Sequence, residues 1–436
     1  MTTQHHVGAH PETGAHPVAG AHPVPPPMAW PPQSQSKSAT VEPHDCPDCR
    51  ARTAVAAPTP AVGPQPAVAP RPKSIDRGRP TNPPRIPELP PAHGRRAVVV
   101  LAGLAVALFL AGLVSAGTGQ LHVAPDEVFG SLLHKMNISL GPMPSHPNGD
   151  AVLWNIRFPR LVMCLLVGAA LGASGAVMQG VFSNPLAEPA VIGVSSGAAV
   201  GACAVIVFGW TFAGSLTIAA AAFLTALFTT LLVYTLSRRE GRTEAVTLVL
   251  MGIAVQAVCS GLIAYLVFLG DTASREQIVF WQLGSFNGSR WQHVYIAAPC
   301  ILVGILGVLF LSRQLDLLAL GERPARHLGV NVERLRLTSI VLVTLCVAAA
   351  VAFSGIIAFI GLVVPHLVRM AVGPGHTVLV PASALGGALV LTIADLVART
   401  AVDYADLPIG MLTALVGGPF FFWLLMRARA KAGGWA

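Results

Sequence analysis

From Ala97 onward the chain alternates long apolar runs with short polar joints; before Ala97 it has no such run. A membrane-spanning helix needs about 20 predominantly apolar residues. Scored that way, the pattern predicts ten spans, at 97–117, 161–182, 190–209, 211–237, 244–270, 292–312, 336–354, 356–372, 378–400 and 410–427. The fold class expected is an all-α membrane protein with ten transmembrane helices, filling a domain of residues 95–430. Spans two to five and seven to ten can be laid over each other with opposite orientation, an inverted repeat of the kind many transporters use. Each block opens with a glycine-rich helix and contains a turn broken by proline.

The first 94 residues are different in kind. Of 36 prolines, 22 lie between Pro11 and Pro91, among Ala, Ser, His and Arg. Such a segment cannot bury enough apolar surface to order itself, so a disordered cytoplasmic tail is expected. Gly-Ala-His-Pro recurs at Gly8–Pro11, Gly14–Pro17 and Gly20–Pro23. A secretory signal would need a basic start and an apolar core, and the tail has neither. His44, Cys46 and Cys49 form a CxxC with a flanking histidine, which is half a zinc site; the other reading is a plain unstructured tail.

Composition sharpens the membrane assignment. Only 11% of residues are charged, against about 25% in soluble domains, too few to cover a soluble globule of 436 residues. The net charge of +8 is a topology signal. With both termini in the cytoplasm, fourteen Lys and Arg flank the cytoplasmic span ends and six the outer ends, which obeys the positive-inside rule. Because the charges alternate with spans and form no stripe, nucleic acid is not an expected partner. Seven cysteines are an odd number, and Cys164, Cys203, Cys259, Cys300 and Cys346 sit within apolar runs, where a thiol acts as a small hydrophobe.

A transporter needs an energy source. A phosphate-binding P-loop requires Gly-Lys-Ser/Thr, and none of the four lysines follows a glycine, so any ATPase has to be a separate chain. Ion-driven carriers keep carboxylates deep in their spans. Here Glu188, Glu244 and Asp395 fall near span ends, and Asp395 is four residues from Arg399, a helical spacing at which the two can pair. His366 follows Pro365 alone at an expected helix end and reads as structural. No catalytic constellation is present.

Three stretches are more particular than generic membrane helix. The first contains Arg157-Phe-Pro-Arg160, the glycine-rich Gly168–Gly175, Gln179–Pro189 with its Asn184-Pro185 and Glu188-Pro189 breaks, and Gly193-Val-Ser-Ser-Gly197. The second is the polar insert Ala319–Arg336 between two spans. The third runs Gly355–Arg369, then Ala394–Arg399, Leu407–Gly410 and Gly417–Phe420. On these motifs the chain resembles the FecCD family of ABC-importer permeases, over essentially all of residues 95–430. Ser183 departs from the pattern, standing where a basic residue is expected before Asn184-Pro185.

The resemblance implies a pair of permease subunits, identical or homologous, around one path, two cytoplasmic ATPase subunits that bind ATP and magnesium, and an outer solute-binding protein. It implies no cofactor and no enzymatic activity in this chain. Arg157, Arg160 and Arg399 match the outer arginines expected to meet acidic groups of the binding protein; the other reading is that they anchor helix ends among lipid headgroups. The insert Leu320–Leu335, with Gly321, Glu322, Arg326, Leu328 and Gly329, matches the coupling helix that sits in a cleft of the ATPase; the other reading is a solvated basic loop. Met163, Met178, Met251 and Phe359 either line the path or pack as ordinary core. The function expected is import of an iron–siderophore complex across the plasma membrane, with haem or cobalamin as the alternative cargo. An ion-coupled carrier is the rival from another class.

Overall fold

The computed structural model describes residues 92–239, 242–402 and 404–431. His44, Cys46 and Cys49 lie outside the described residues. The described residues are mostly helical: α1 (Ala92–Gly117), α2 (Pro125–Lys135), α3 (Gly149–Val152), α4 (Phe158–Val181), α5 (Val194–Phe208), α6 (Thr217–Ser237), α7 (Ala245–Leu269), α8 (Thr272–Leu283), α9 (Trp291–Leu318), α10 (Glu322–His327), α11 (Val332–Ser354), α12 (Ile360–Val372), α13 (His376–Thr400) and α14 (Ile409–Lys431). A π-helical turn, Leu153–Arg157, fuses α3 to α4. The joint between α6 and α7 is a minimal hairpin of β1 (Arg238–Arg239) and β2 (Arg242–Thr243).

Among the described residues, seven helices are long and apolar enough to cross a membrane. Three shorter apolar helices, Val194–Phe208, Ile360–Val372 and Ile409–Leu424, stand where the third, eighth and tenth spans are expected. Each of the ten expected spans thus has a helix, and α5 and α12, of 15 and 13 residues, are shorter than a full crossing. The second span corresponds to a helix that starts at Gly149, well before 161, because polar residues in its first turns find partners.

Burial separates the centre of the bundle from its periphery. In the apolar window of the α3–α4 helix 72% of residues are buried and in that of α11 67%, whereas in α1 only 11% are, so α1 presents its sides outward. The most intimate pairing is α4 with α13. A Cβ on Gly172 would fall on the carbonyl oxygen of Ser383, and one on Gly168 on that of Gly387, so the backbones touch with no room for a side chain. Its counterpart across the two blocks is α11 with α6, which also pack together. The two short helices begin alike as well, α5 after Gly193 (φ 82°) and α12 after Phe359 (φ 68°), both in the left-handed region. For a bulky residue that conformation is unusual, and Phe359 holds it with its side chain wedged against Gly417.

The helix breaks at Asn184-Pro185 and Glu188-Pro189 occur as expected. Asn184 accepts the Leu186 N–H at 2.9 Å, Ser183 is left-handed, and a 3-10 turn at Pro189–Ile192 delivers the chain into α5. Met163 and Met178 are fully buried core residues. Met251 edges an apolar cavity of ≈ 550 Å³ between α5, α6 and α7. His366 lies in the middle of α12, not at a helix end, because Pro365 is accommodated inside that helix.

Candidate functional site

Among the described residues, polar side chains gather where α4 begins, where α11 begins and where α4 ends. At the first, the π turn aims Arg157 at the C-terminus of α1. Its Nη1 donates to the carbonyls of Ala116 (2.6 Å) and Gly117 (3.0 Å), and its Nη2 to that of Leu121. Arg399 of α13 serves the same helix end, donating to the Thr118 carbonyl (2.6 Å), the Ser115 hydroxyl (2.8 Å) and the Ser115 carbonyl. Two guanidinium groups therefore satisfy carbonyls that a helix leaves unpaired, where its dipole favours positive charge.

Arg160 completes this end. Its Nε lies 2.9 Å from Asp395 and its Nη1 2.8 Å from Asp406. Asp395 also faces Arg399 Nε at 3.6 Å, so the expected Asp395–Arg399 pair exists but is the longer of two. Asp395 lies near the end of α13, as expected, is 1% exposed, and through Arg160 joins α13 to α4. Arg157, Arg160, Arg399, Asp406, Gln120 and Asn287 border a cavity of ≈ 770 Å³. Among the described residues that border it, three arginines stand against one aspartate, Asp406. None of the three arginines is a free surface charge: Arg157 is 6% exposed, and the side chains of Arg160 and Arg399 are 12% and 10% exposed.

At the opposite end the insert folds as a short helix, α10, between two glycines with positive φ, Gly321 (107°) and Gly329 (87°). Ala325 is its buried foot, while Arg326, Leu328 and Gly329 are exposed. Glu322 and Arg326 pair at 3.5 Å, both about half exposed, which is worth little by itself. The firmer partner of Glu322 is Arg336, on the first turns of α11. Arg336 is buried, and its other Nη donates to the Thr243 carbonyl at 2.8 Å. Glu333 accepts from the Thr243 N–H (3.1 Å), the Thr243 hydroxyl (2.6 Å) and the Tyr234 hydroxyl (3.3 Å).

A third cluster lies where α4 ends. Gln179 donates to the Leu362 carbonyl (3.2 Å) and accepts from Arg369 (3.3 Å). Asp316 of α9 accepts from the backbone N–H of His376 (2.5 Å), and its carboxylate lies 2.9 Å from the ring Nδ1 of the same residue. Neither this cluster nor the roles of Arg336 and Thr243 follow from local sequence, because every partner is 60 or more residues away except Glu322.

Relatives bear on what such a bundle does. The permease protein HmuU of the Yersinia pestis hemin transport system is 40% identical over 305 residues, covering 69% of this chain and 91% of that one. The cobalamin import permease BtuC of Halobacterium salinarum is 42% identical over 283 residues, 65% of this chain and 75% of its own. The vitamin B12 import permease BtuC of Salmonella arizonae is 37% identical over 334 residues, 77% and 96%. A solved chain described as a metal-chelate type ABC transporter in an inward-facing conformation superposes with a TM-score of 0.67 at 35% identity, covering 76% of this chain and 99% of that one. A profile of the FecCD transport family matches residues 98–427, and with it the chain, a multi-pass membrane protein, belongs to that family of ABC-importer permeases.

Proposed function

We propose that this permease moves an iron–siderophore complex into the cytoplasm, driven by separate ATPase chains. What carries the reading is the pairing of family membership with a bundle that has two distinct polar ends, each suited to a different partner. The cavity framed by Arg157, Arg160 and Arg399 suits an outer binding protein that presents acidic side chains. The exposed face of α10, with Arg326, Leu328 and Gly329, suits the cleft of a cytoplasmic ATPase. In this orientation both termini are cytoplasmic, and the working unit is two permease subunits, two ATPases and one binding protein. Haem or cobalamin is a second reading of the cargo, favoured by the relatives named for hemin and vitamin B12.

The test is uptake into vesicles that hold the whole importer, with its binding protein supplied outside. A ferric siderophore, haem and cobalamin are offered separately. ATP-dependent uptake of the ferric siderophore alone supports the proposal; uptake of haem or cobalamin with none of the siderophore replaces it with the second reading. ATP-independent uptake driven by an ion gradient would overturn both.

A further inference from the structure

We propose that Arg336 and Glu333 are positioning residues that clamp Thr243, and so tie α10 to the α6–α7 hairpin. Movement of the insert would then reach both blocks of the bundle together. The inference rests on the reading of α10 as the ATPase contact and goes beyond it.

Covalently, α10 belongs only to α9 and α11. Pulling on it moves those two helices directly, while α6 and α7 would follow only through packing. The side chains supply another connection. Thr243 is the last residue of β2, two positions before α7, and is 2% exposed. All three of its polar groups are taken by charged side chains of α11: its N–H and hydroxyl donate to Glu333, and its carbonyl accepts from Arg336. Tyr234, on the last turn of α6, donates to the same Glu333. The last turn of α6 and the strand that leads into α7 are thus held by one carboxylate.

Arg336 adds the link to the insert. One Nη holds Thr243 and the other holds Glu322, the first residue of α10. Its planar fork fixes the two bonds at a set angle, so a shift of Glu322 turns or pulls the group that holds the hairpin. Apolar contact already joins α11 to α6, with Val233 and Val343 both in the same core, so the packing does not need buried charge. Burying a guanidinium costs desolvation that only such partners offset. The cost is borne at the one place where α10, the hairpin and α11 meet.

The experiment uses the complete importer in vesicles and reads two quantities: ATP hydrolysis stimulated by the loaded binding protein, and cargo taken up per ATP. Arg336→Gln and Thr243→Val each remove part of the clamp, and Arg336→Lys keeps the charge without the fork. Arg336→Gln should retain the ATPase subunits but lower cargo per ATP by about tenfold, the scale of one lost charge-assisted hydrogen bond. Thr243→Val should lower it less and Arg336→Lys should restore part of it. Wild-type cargo per ATP in both Arg336→Gln and Thr243→Val overturns the proposal. So does an Arg336→Gln complex that fails to assemble while Thr243→Val stays at the wild-type ratio. Leu328→Glu, on the exposed side of α10, tests the underlying reading separately: if the ATPase still binds this variant, it is that reading which fails.

Discussion

The arginine end and the insert end of the bundle are built from the same residue types and behave differently. At the arginine end, charges are buried against each other: Asp395 is 1% exposed and sits between Arg160 and Arg399, while Arg157 is spent on two carbonyls at the end of α1 and one in the loop after it. At the insert end, Glu322 remains about half exposed, and Arg336 reaches it from the buried side. Buried pairs lose heavily when one partner is removed, because the other is left uncompensated; exposed pairs lose little. The first end is therefore suited to hold its shape while something docks, and the second to be moved.

The comparison is broken most directly at Asp395. Asp395→Ala leaves Arg160 and Arg399 facing each other without their shared carboxylate. The expected cost is about 3–5 kcal/mol, the range for stranding a buried charge. Thermal unfolding of the purified protein in detergent should show it as a large drop in midpoint. The matched change at the other end, Glu322→Ala, should cost less, about 1–2 kcal/mol in equivalent stability, since Glu322 is itself half exposed and the buried Arg336 keeps its bond to the Thr243 carbonyl. Equal shifts would show that the two ends do not differ as described.

Much of the fold was legible in the sequence, for a plain reason. A span is a local signal: about 20 apolar residues identify it wherever its neighbours are. All ten expected runs correspond to helices. The flanking glycines of α10 were legible too, since Gly321 and Gly329 both adopt the positive φ that suits glycine. What stayed hidden was pairing. Arg160 and Asp395 are 235 residues apart, and Arg336 and Thr243 are 93 apart; no spacing rule connects them. In the sequence Arg336 reads as one more positive-inside charge at the edge of the insert, although it is the residue that joins α10 to the hairpin. Hydropathy likewise missed α2 and the early start at Gly149, because it scores Trp154, Arg157 and Arg160 as polar without knowing that each will find a partner.

A smaller break goes through the packing that delivers Arg160 to Asp395. Gly172 lets α4 lie directly on α13, and any Cβ there would overlap the Ser383 carbonyl. Gly172→Val should separate the two helices and cost about 1–3 kcal/mol, the usual range for overpacking a filled interior. The separation should also loosen the Arg160–Asp395 pair, so adding Gly172→Val to Asp395→Ala should cost less than the sum of the two. A double-mutant cycle on unfolding midpoints measures this; strict additivity would mean that the packing and the ion pair are independent.

The smallest expected effect sharpens the comparison from the insert side. Gly329 has φ 87°, yet nothing lies within 4 Å of where its Cβ would be. A side chain there meets backbone strain but no clash, so Gly329→Ala should lower stability by only about 1 kcal/mol. Asn tolerates the left-handed region better than Ala, so Gly329→Asn should lower it less. The surface beside it is the one read as the ATPase contact, however, and there a bulky residue stands in the way whatever it does to the backbone. Gly329→Trp should therefore leave the unfolding midpoint close to that of Gly329→Ala while reducing ATPase stimulation by the loaded binding protein far more. Were stimulation to track the midpoint across the Asn, Ala and Trp series, the glycine would matter only for the turn it makes, and the open space around it would have no partner to receive.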